Sequence, residues 1–142
     1  MNYLRLMTLL TLALSATIAL AIASEDLADE NGYTVKLAYS EDLGTFLVDG
    51  DGMTLYTFAN DVAESRTSSC YDTCAEIWPP FFADVIRVPE GLTYTDFNGF
   101  EREDGAIQTT YKGWPLYRYV EDLAPGDVKG QGVGGVWSVA SP

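Results

Sequence analysis

The sequence predicts a mainly β fold class: a small antiparallel β domain built from two tandem repeats, with a short helical turn near a pair of cysteines. The first observation is that residues 52–61 (GMTLYTFAND) recur as residues 113–122 (GWPLYRYVED) without a gap. The second is the alternation of apolar and polar side chains in short segments, which is typical of strands. The third is a set of aspartate–glycine turn signals between those segments. Together they predict one β-rich domain over residues 33–142, with repeats at about residues 44–80 and 99–140.

The chain begins with a segment typical of a secretory signal peptide. Arg5 precedes an apolar run that ends in small residues at Ala19, Ala21 and Ala23, so residues 1–23 are predicted to be cleaved. An uncleaved membrane anchor is the alternative, since the apolar run approaches the length of a bilayer span. The acidic segment that follows favours cleavage. No cysteine lies near the junction, so we expect no lipid attachment there and no stable membrane anchor after cleavage.

The first strands follow a short acidic tail. Residues 24–32 contain few large apolar side chains and are predicted to be flexible. Residues 33–39 alternate with period two, which places their odd-numbered side chains on one face of a strand. Two further strands, at residues 45–48 and 53–58, are joined by residues 49–52 (DGDG), which tolerate positive φ. The alternating aspartates of that loop resemble part of a calcium loop, but a hairpin turn explains them better because the length and terminal glutamate of an EF-hand are missing.

The middle of the chain is predicted to contain a helical turn and one more strand. Residues 59–69 are polar and are interpreted as a loop. Residues 71–77 are predicted to form the helical turn, which ends before Pro79 and Pro80 because proline cannot continue a helix. Residues 81–88 are interpreted as a strand.

The remaining strands lie in the second half, at residues 99–103, 106–112, 114–120 and 136–140. Asp104 and Gly105 form a strong hairpin signal between the first two of them. Pro115 lies near the start of the repeated strand, where a missing amide matters least. Residues 124–135 are a glycine-rich loop.

The repeated segments carry the motif tyrosine-x-aromatic-x-x-aspartate. Its members are Tyr56, Phe58 and Asp61 in the first repeat, and Tyr117, Tyr119 and Asp122 in the second. Two further blocks, residues 70–80 (CYDTCAEIWPP) and 108–117 (QTTYKGWPLY), accompany the motif, and a glycine-rich block ends at Trp137. This pattern resembles the "secreted repeat of unknown function" family, whose members are often lipoproteins with a Yx(FWY)xxD motif. The resemblance spans about residues 44–140 and implies an exported two-repeat domain with no established activity and no assigned catalytic residue.

Composition narrows the classes of function. The chain has 21 acidic residues against 8 basic ones and a formal net charge of −13, which opposes binding to nucleic acid or to anionic membranes. It contains no histidine, so the usual general base and the commonest metal ligand are both missing. We therefore expect no enzyme, no cofactor and no metal site, and the sequence identifies no partner.

Cys70 and Cys74 are the only cysteines. In an exported protein an isolated pair most simply forms a local disulfide. A redox-active pair is one alternative, although dithiol oxidoreductases usually place two residues between their cysteines. A Cu(I) site made by both thiolates, with a methionine such as Met53, is the other.

The motif residues have a structural and a functional interpretation. Rings two positions apart on a strand point to the same face, as core residues do, and Asp61 and Asp122 then follow the strands, where carboxylates accept hydrogen bonds from turn amides. The alternative is a ligand face made of Trp114, Tyr117 and Tyr119.

The sequence as a whole predicts an exported non-enzymatic domain, periplasmic or extracellular, that serves as an interaction or ligand-binding module. The alternative function is an envelope thiol-redox or copper-handling protein. A carboxylate-based enzyme comes third, because no spacing marks any two carboxylates as a catalytic pair.

Overall fold

The computed structural model describes residues 31–142, so the predicted signal peptide and nearly all of the acidic tail lie outside the described residues. In chain order the elements are β1 (Val35–Ser40), β2 (Gly44–Asp49), β3 (Tyr56–Phe58), α1 (Thr73–Ile77), β4 (Phe97–Glu101), β5 (Ile107–Tyr111), β6 (Trp114–Pro115) and β7 (Trp137–Val139), with 3-10 turns at Tyr94–Asp96 and Val133–Gly135. The predicted mainly β class and the short helical turn near the cysteines are confirmed.

The strands form small antiparallel sheets. β1 pairs with β2, β3 pairs with β7, and β4, β5 and β6 form a three-stranded sheet in that order. The β4–β5 hairpin turns at the predicted aspartate–glycine signal, where the amide of Gly105 donates to the carbonyl oxygen of Arg102 at 2.9 Å. Gly105 has a φ of +84°, a left-handed conformation that a residue without a Cβ adopts at little cost.

The two repeats fold alike down to individual hydrogen bonds. The amide of Leu55 donates to the carbonyl of Leu47, and the amide of Leu116 donates to the carbonyl of Thr109, both at 3.0 Å. The same correspondence holds on the other side of each leucine. The amide of Ala140 donates to the carbonyl of Leu55, and the amide of Phe81 donates to the carbonyl of Leu116, both at 2.8 Å. The tandem duplication in the sequence is therefore also a duplication of the backbone hydrogen-bond pattern.

Two clusters of buried side chains lie on opposite faces of these strands. The first contains Phe46, Val48, Tyr56, Phe58, Cys70, Trp78, Tyr117, Trp137 and Val139. The second contains Val35, Leu47, Leu55, Phe81, Phe97, Tyr111, Leu116 and Ala140. Neighbouring residues such as Leu55 and Tyr56 thus enter different clusters, because successive side chains of a strand point to opposite faces. Burial on both faces explains why several short segments are apolar at nearly every position.

Three strand predictions need correction. Residues 81–88 form no strand, and the repeated strands are shorter than predicted, with β3 and β6 covering only Tyr56–Phe58 and Trp114–Pro115. In the first repeat β3 pairs with β7, whereas the matching partner in the second repeat contains Pro79 and Pro80, which have no amide hydrogen to donate. Only an isolated bridge between Pro80 and Tyr117 remains there.

Both faces of β1 are partly buried. On the face of the odd-numbered residues Val35 is buried and Tyr39 is 71 % exposed, while Ala38 on the opposite face packs against the first cluster. Neither face of β1 is wholly exposed because β2, its partner, is buried on both of its faces.

Equivalent core positions should contribute equally to stability. Leu55→Ala and Leu116→Ala each remove a fully buried side chain, so each should lower the free energy of unfolding by about 2–5 kcal/mol, and the two losses should be similar. Urea denaturation measures both losses, with Val62→Ala, at a 65 % exposed position, as the control that should change little. A large loss in one leucine variant beside a negligible loss in the other would contradict structural equivalence of the repeats.

Candidate functional site

The tyrosines of the two motifs lie side by side at the centre of the molecule. The amide of Tyr56 donates to the carbonyl of Tyr117 at 2.8 Å, and the amide of Tyr117 donates to the carbonyl of Tyr56 at 3.0 Å. Both side chains are fully buried. This reciprocal pair relates the two repeats by an approximate twofold axis, since each tyrosine makes the same contact with the other.

The tyrosine of each repeat is hydrogen-bonded to the aspartate of the other repeat. The hydroxyl of Tyr56 donates to Oδ2 of Asp122 at 2.6 Å, and the hydroxyl of Tyr117 donates to Oδ2 of Asp61 at 2.7 Å. Each aspartate also holds a loop of its own repeat, because Oδ1 of Asp61 accepts from the amide of Ser69 at 2.7 Å. Oδ1 of Asp122 likewise accepts from the amide of Lys129 at 2.9 Å. We call these two crossed hydrogen bonds the Tyr–Asp pairs.

Both hydroxyls also accept hydrogen bonds from neighbouring loops. The amide of Gly130 donates to the hydroxyl of Tyr56 at 3.2 Å. Ser68 Oγ lies 2.8 Å from the hydroxyl of Tyr117, and since that hydroxyl gives its hydrogen to Asp61, Ser68 is the donor. A Cβ at Gly130 would lie only 2.7 Å from the Tyr56 ring, so the close approach of this loop requires glycine.

The second aromatic of each motif completes a column of four stacked rings. Phe58 stacks on Trp137 with centroids 4.3 Å apart, and Trp137 stacks on Trp78 at 3.8 Å with an angle of 4° between the planes. Trp78 in turn stacks on Tyr119 at 4.1 Å. The exchange between repeats recurs here, because Phe58 and Trp78 come from the first repeat while Trp137 and Tyr119 come from the second.

Burial controls the ionisation of the Tyr–Asp pairs. Loss of solvent raises the pKa of Asp61 and of Asp122, against the opposing effect of the hydrogen bonds from Tyr117 and Tyr56. Burial also raises the pKa of both tyrosines, so their hydroxyls stay protonated as donors. Every oxygen of the two carboxylates is bonded, which leaves these groups suited to holding loops rather than to transferring protons.

The cysteines form the predicted local bridge. Their sulfur atoms are 1.98 Å apart. Cys74 is the second residue of α1, and Cys70 precedes the helix. Cys70 is fully buried, and its carbonyl accepts a hydrogen bond from Nη2 of Arg102 at 2.6 Å. Arg102 is itself buried, with Nη1 donating to Oε1 of Gln108 at 2.6 Å. These bonds fix the disulfide loop to the β4–β5 hairpin. Among residues 31–142 no cluster of three or more acidic or cysteine side chains is placed to hold a metal ion.

Asp49, the first residue of the loop at residues 49–52, caps a turn. Oδ1 of Asp49 accepts hydrogen bonds from the amides of Asp51 and Met53, at 2.9 and 3.0 Å. Oδ2 of Asp49 lies 2.7 Å from a guanidinium nitrogen of Arg118. The buried carboxylate is therefore used by the hairpin and by an ion pair, as the turn interpretation requires.

A cleft opens between β3, β7 and the turn that joins β5 to β6. It has a volume of about 400 Å³, within the range of small-molecule sites. Its lining residues are Thr57, Ala59, Tyr111, Lys112, Trp114, Val136, Ser138, Ala140, Ser141 and Pro142. We call this the open cleft. Its floor is made by small side chains of β3 and β7, on the face opposite to the ring column.

The equivalent place in the other repeat carries two larger side chains. Where the open cleft has Thr57, the second repeat has Arg118, and where it has Ala140, the hydrogen-bond pattern places Phe81. The guanidinium of Arg118 lies 5.4 Å from the centroid of the Phe81 ring and forms the ion pair with Asp49. We call this the filled cleft.

A family model described as "secreted repeat of unknown function" matches residues 38–81 and 99–141. The chain belongs to this family. The two matches coincide closely with the repeats that the sequence predicts. No curated protein and no solved structure matches the chain. Within residues 31–142 no helix has both the length and the apolar character needed to cross a membrane.

The motif residues of this secreted-repeat chain lie in its interior. Tyr117 is fully buried, so Trp114, Tyr117 and Tyr119 do not form the exposed ligand face that the sequence left open. Tyr119 is half-buried in the ring column, and Trp114 is half-buried in the open cleft. Sequence reasoning missed the open cleft itself. The signal was available in the alignment of the two repeats, where a small residue, Thr57, occupies the same position as a large charged one, Arg118.

The crossed geometry predicts which pairs of residues are energetically coupled. Tyr56→Phe leaves the buried Asp122 without its hydroxyl partner and should cost about 1–3 kcal/mol. In double-mutant cycles, Tyr56→Phe should couple strongly with Asp122→Ala, in the other repeat. Its coupling with Asp61→Ala, in its own repeat, should stay within about 0.5 kcal/mol. Denaturant unfolding measures both cycles, and stronger coupling within one repeat than across repeats would refute the exchange.

The raised carboxyl pKa values predict a pH dependence. A folded pKa above the ordinary 3.8 means that Asp61 and Asp122 contribute stability that is full below pH 3.8 and is lost as the pH rises through their folded pKa. The free energy of unfolding should therefore rise as the pH falls from neutrality towards that value. Asp104 and Asp127, which lie at the surface, have lowered pKa values because they accept hydrogen bonds, so their contributions are lost only below pH 3.8. Urea denaturation across this range should show a shallower rise for the double variant Asp61→Asn, Asp122→Asn than for the wild type, and identical slopes would contradict the assignment.

Proposed function

We propose that this protein is an exported, non-enzymatic binding module that takes up a small molecule in the open cleft. The observation that carries this proposal is the difference between the two clefts of a duplicated fold. One cleft contains Arg118, held by Asp49 at 2.7 Å, whereas the other has Thr57 at the corresponding position and a free volume of about 400 Å³. The cleft is open to solvent, so the apolar part of its lining is left in contact with water, which favours a ligand that covers this surface.

The chemistry of the lining supports binding. Trp114 and Tyr111 supply flat apolar surface, and Lys112 supplies a charge, which matches the usual composition of ligand sites, mostly apolar with a few polar groups. No hydrogen bond within the described part of the chain engages the hydroxyls of Thr57 and Ser138, so both are available as donors to a ligand. The cleft therefore combines shape with groups that can orient what it holds.

The absence of an enzymatic role is part of the proposal. The buried acids and tyrosines of the motif are all engaged in the Tyr–Asp pairs, and the sequence has no histidine to serve as a general base at neutral pH. The family is described as secreted, which supports export. Placement in the periplasm or outside the cell is compatible with the disulfide between Cys70 and Cys74.

The thiol-redox or copper-handling alternative has less support. Cys70 is fully buried, and both sulfur atoms are used by the disulfide, so neither is a thiolate that could attack a partner or bind Cu(I) in this state. An oxidised protein whose disulfide is reduced readily by a mild dithiol would return this alternative to first place.

Blocking the open cleft should abolish binding. We would screen the mature protein against neutral, anionic and cationic aromatic fragments by ligand-observed NMR. Thr57→Phe places a ring in the cleft at a strand position that tolerates aromatic residues, so every fragment bound by the wild type should be lost. Thr45→Phe makes the same chemical change at an exposed position of β2, outside the cleft, and should retain binding.

Two results would overturn the proposal. One is that no fragment of any charge binds the wild-type protein. The other is that fragments bind Thr57→Phe and Thr45→Phe equally well while both variants keep the wild-type melting temperature, which would place binding elsewhere on the protein.

A further inference from the structure

We infer that the ligand of the open cleft is a small planar anion, namely a flat carboxylate with an aromatic or similarly apolar body. This inference rests on the proposed function and names its class of ligand. In the arrangement that the geometry points to, the carboxylate meets Lys112 and the hydroxyl groups of the floor, while the flat body lies against Trp114.

The charge of the cleft differs from that of the rest of the molecule. The chain has 21 acidic residues and a net charge of −13, yet the cleft is lined by no acidic side chain and by one lysine. None of the described carboxylates forms an ion pair with Lys112, and its ammonium group lies 5.1 Å from the centroid of the Tyr111 ring. A cation over the ring that forms a wall of the cleft is placed where it can meet a ligand.

The turn at Lys112 places this residue at the cleft. Lys112 has a φ of +47° and Gly113 a φ of +82°, which is the conformation of a tight hairpin turn with two left-handed residues. This turn joins β5 to β6 and sets Lys112 two residues before Trp114, which also lines the cleft.

The filled cleft shows what kind of group this place accommodates. There a planar cation, the guanidinium of Arg118, lies over the Phe81 ring and pairs with the acidic loop at Asp49. In the open cleft the equivalent loop carries Tyr111 and Lys112 in place of residues 49–51 (DGD), so the sign of the loop charge is reversed. A planar group of the opposite charge, a carboxylate, is the matching occupant. The cleft is larger than a carboxylate alone requires, and Trp114, at the place of Met53, offers a surface for a flat body.

The test compares three probes that separate charge from shape. Indole-3-acetate has the ring and the carboxylate, indole-3-acetamide has the same shape without the charge, and acetate has the charge without the ring. By isothermal titration of the mature protein, indole-3-acetate should bind about two- to fivefold more tightly than the amide, as expected for an ion pair with an exposed lysine. Acetate should bind far more weakly than either.

Two substitutions assign the preference to Lys112. Lys112→Asn removes the charge while keeping a residue that tolerates the left-handed turn, so the acid and the amide should bind alike. Lys112→Arg keeps the charge and should retain the preference for the acid. Lys129→Asn is the matched control, because Lys129 lies outside the cleft and pairs with Asp127 at 3.3 Å.

The outcomes separate this inference from the proposed function. If the amide, or the cation tryptamine, binds the wild type as tightly as the acid, the ligand class is wrong while the cleft remains a binding site. If the preference for the acid survives in Lys112→Asn, the role of Lys112 is wrong. If the wild type binds none of these probes at millimolar concentration, both the ligand class and the proposed function fail.

Discussion

The two buried Tyr–Asp pairs are the constraint on which the remaining structure depends. Each hydroxyl reaches across to the aspartate of the other repeat, at 2.6 and 2.7 Å, and each aspartate fastens a loop of its own repeat through its second oxygen. Because strands as short as β3 and β6 bury little surface alone, both buried clusters are built from side chains of the two repeats together. The crossed hydrogen bonds join the two repeats in one core. The four-ring column adds apolar contacts between the same two repeats.

This arrangement explains the spacing of the repeated motif. The tyrosine and the aromatic two positions later share one strand face, so both rings enter the first cluster. The aspartate three residues further on lies past the strand, where the chain has turned, and its amide donates back to the carbonyl of that second aromatic in both repeats. A shorter or longer spacing would take the carboxylate away from the hydroxyl of the other repeat. Replacing either partner alone would leave a buried polar group unsatisfied, which is why the motif constrains both ends at once.

Much of the fold was accessible from the sequence because local signals determine it. The gap-free repeat correctly equates Leu55 with Leu116, and the helical turn ends before the prolines as expected. The sequence did not reveal that each tyrosine is hydrogen-bonded to the aspartate of the other repeat. A repeated motif is equally compatible with hydrogen bonds inside one copy and with hydrogen bonds between two copies. The strand predicted at residues 81–88 failed for a different reason: Phe81 is buried and its amide donates to the carbonyl of Leu116, but Phe82 and Val85 are each 49 % exposed, so the apolar run is not that of a buried strand. The alternative ligand face failed because exposure depends on tertiary contacts that alternation does not encode.

The symmetry also indicates where function should be sought. Positions that are equivalent in both repeats, such as Tyr56 and Tyr117, are explained by the common core and therefore carry no information about a ligand. Positions that differ between the two repeats are not explained by the common core. Thr57 against Arg118 exchanges a small neutral side chain for a long charged one, and Lys112 replaces part of an acidic loop beside it. In a duplicated fold one copy can keep its cleft closed with its own side chain while the other is open to bind, so the closed copy serves as an internal reference for the occupied state of the open one.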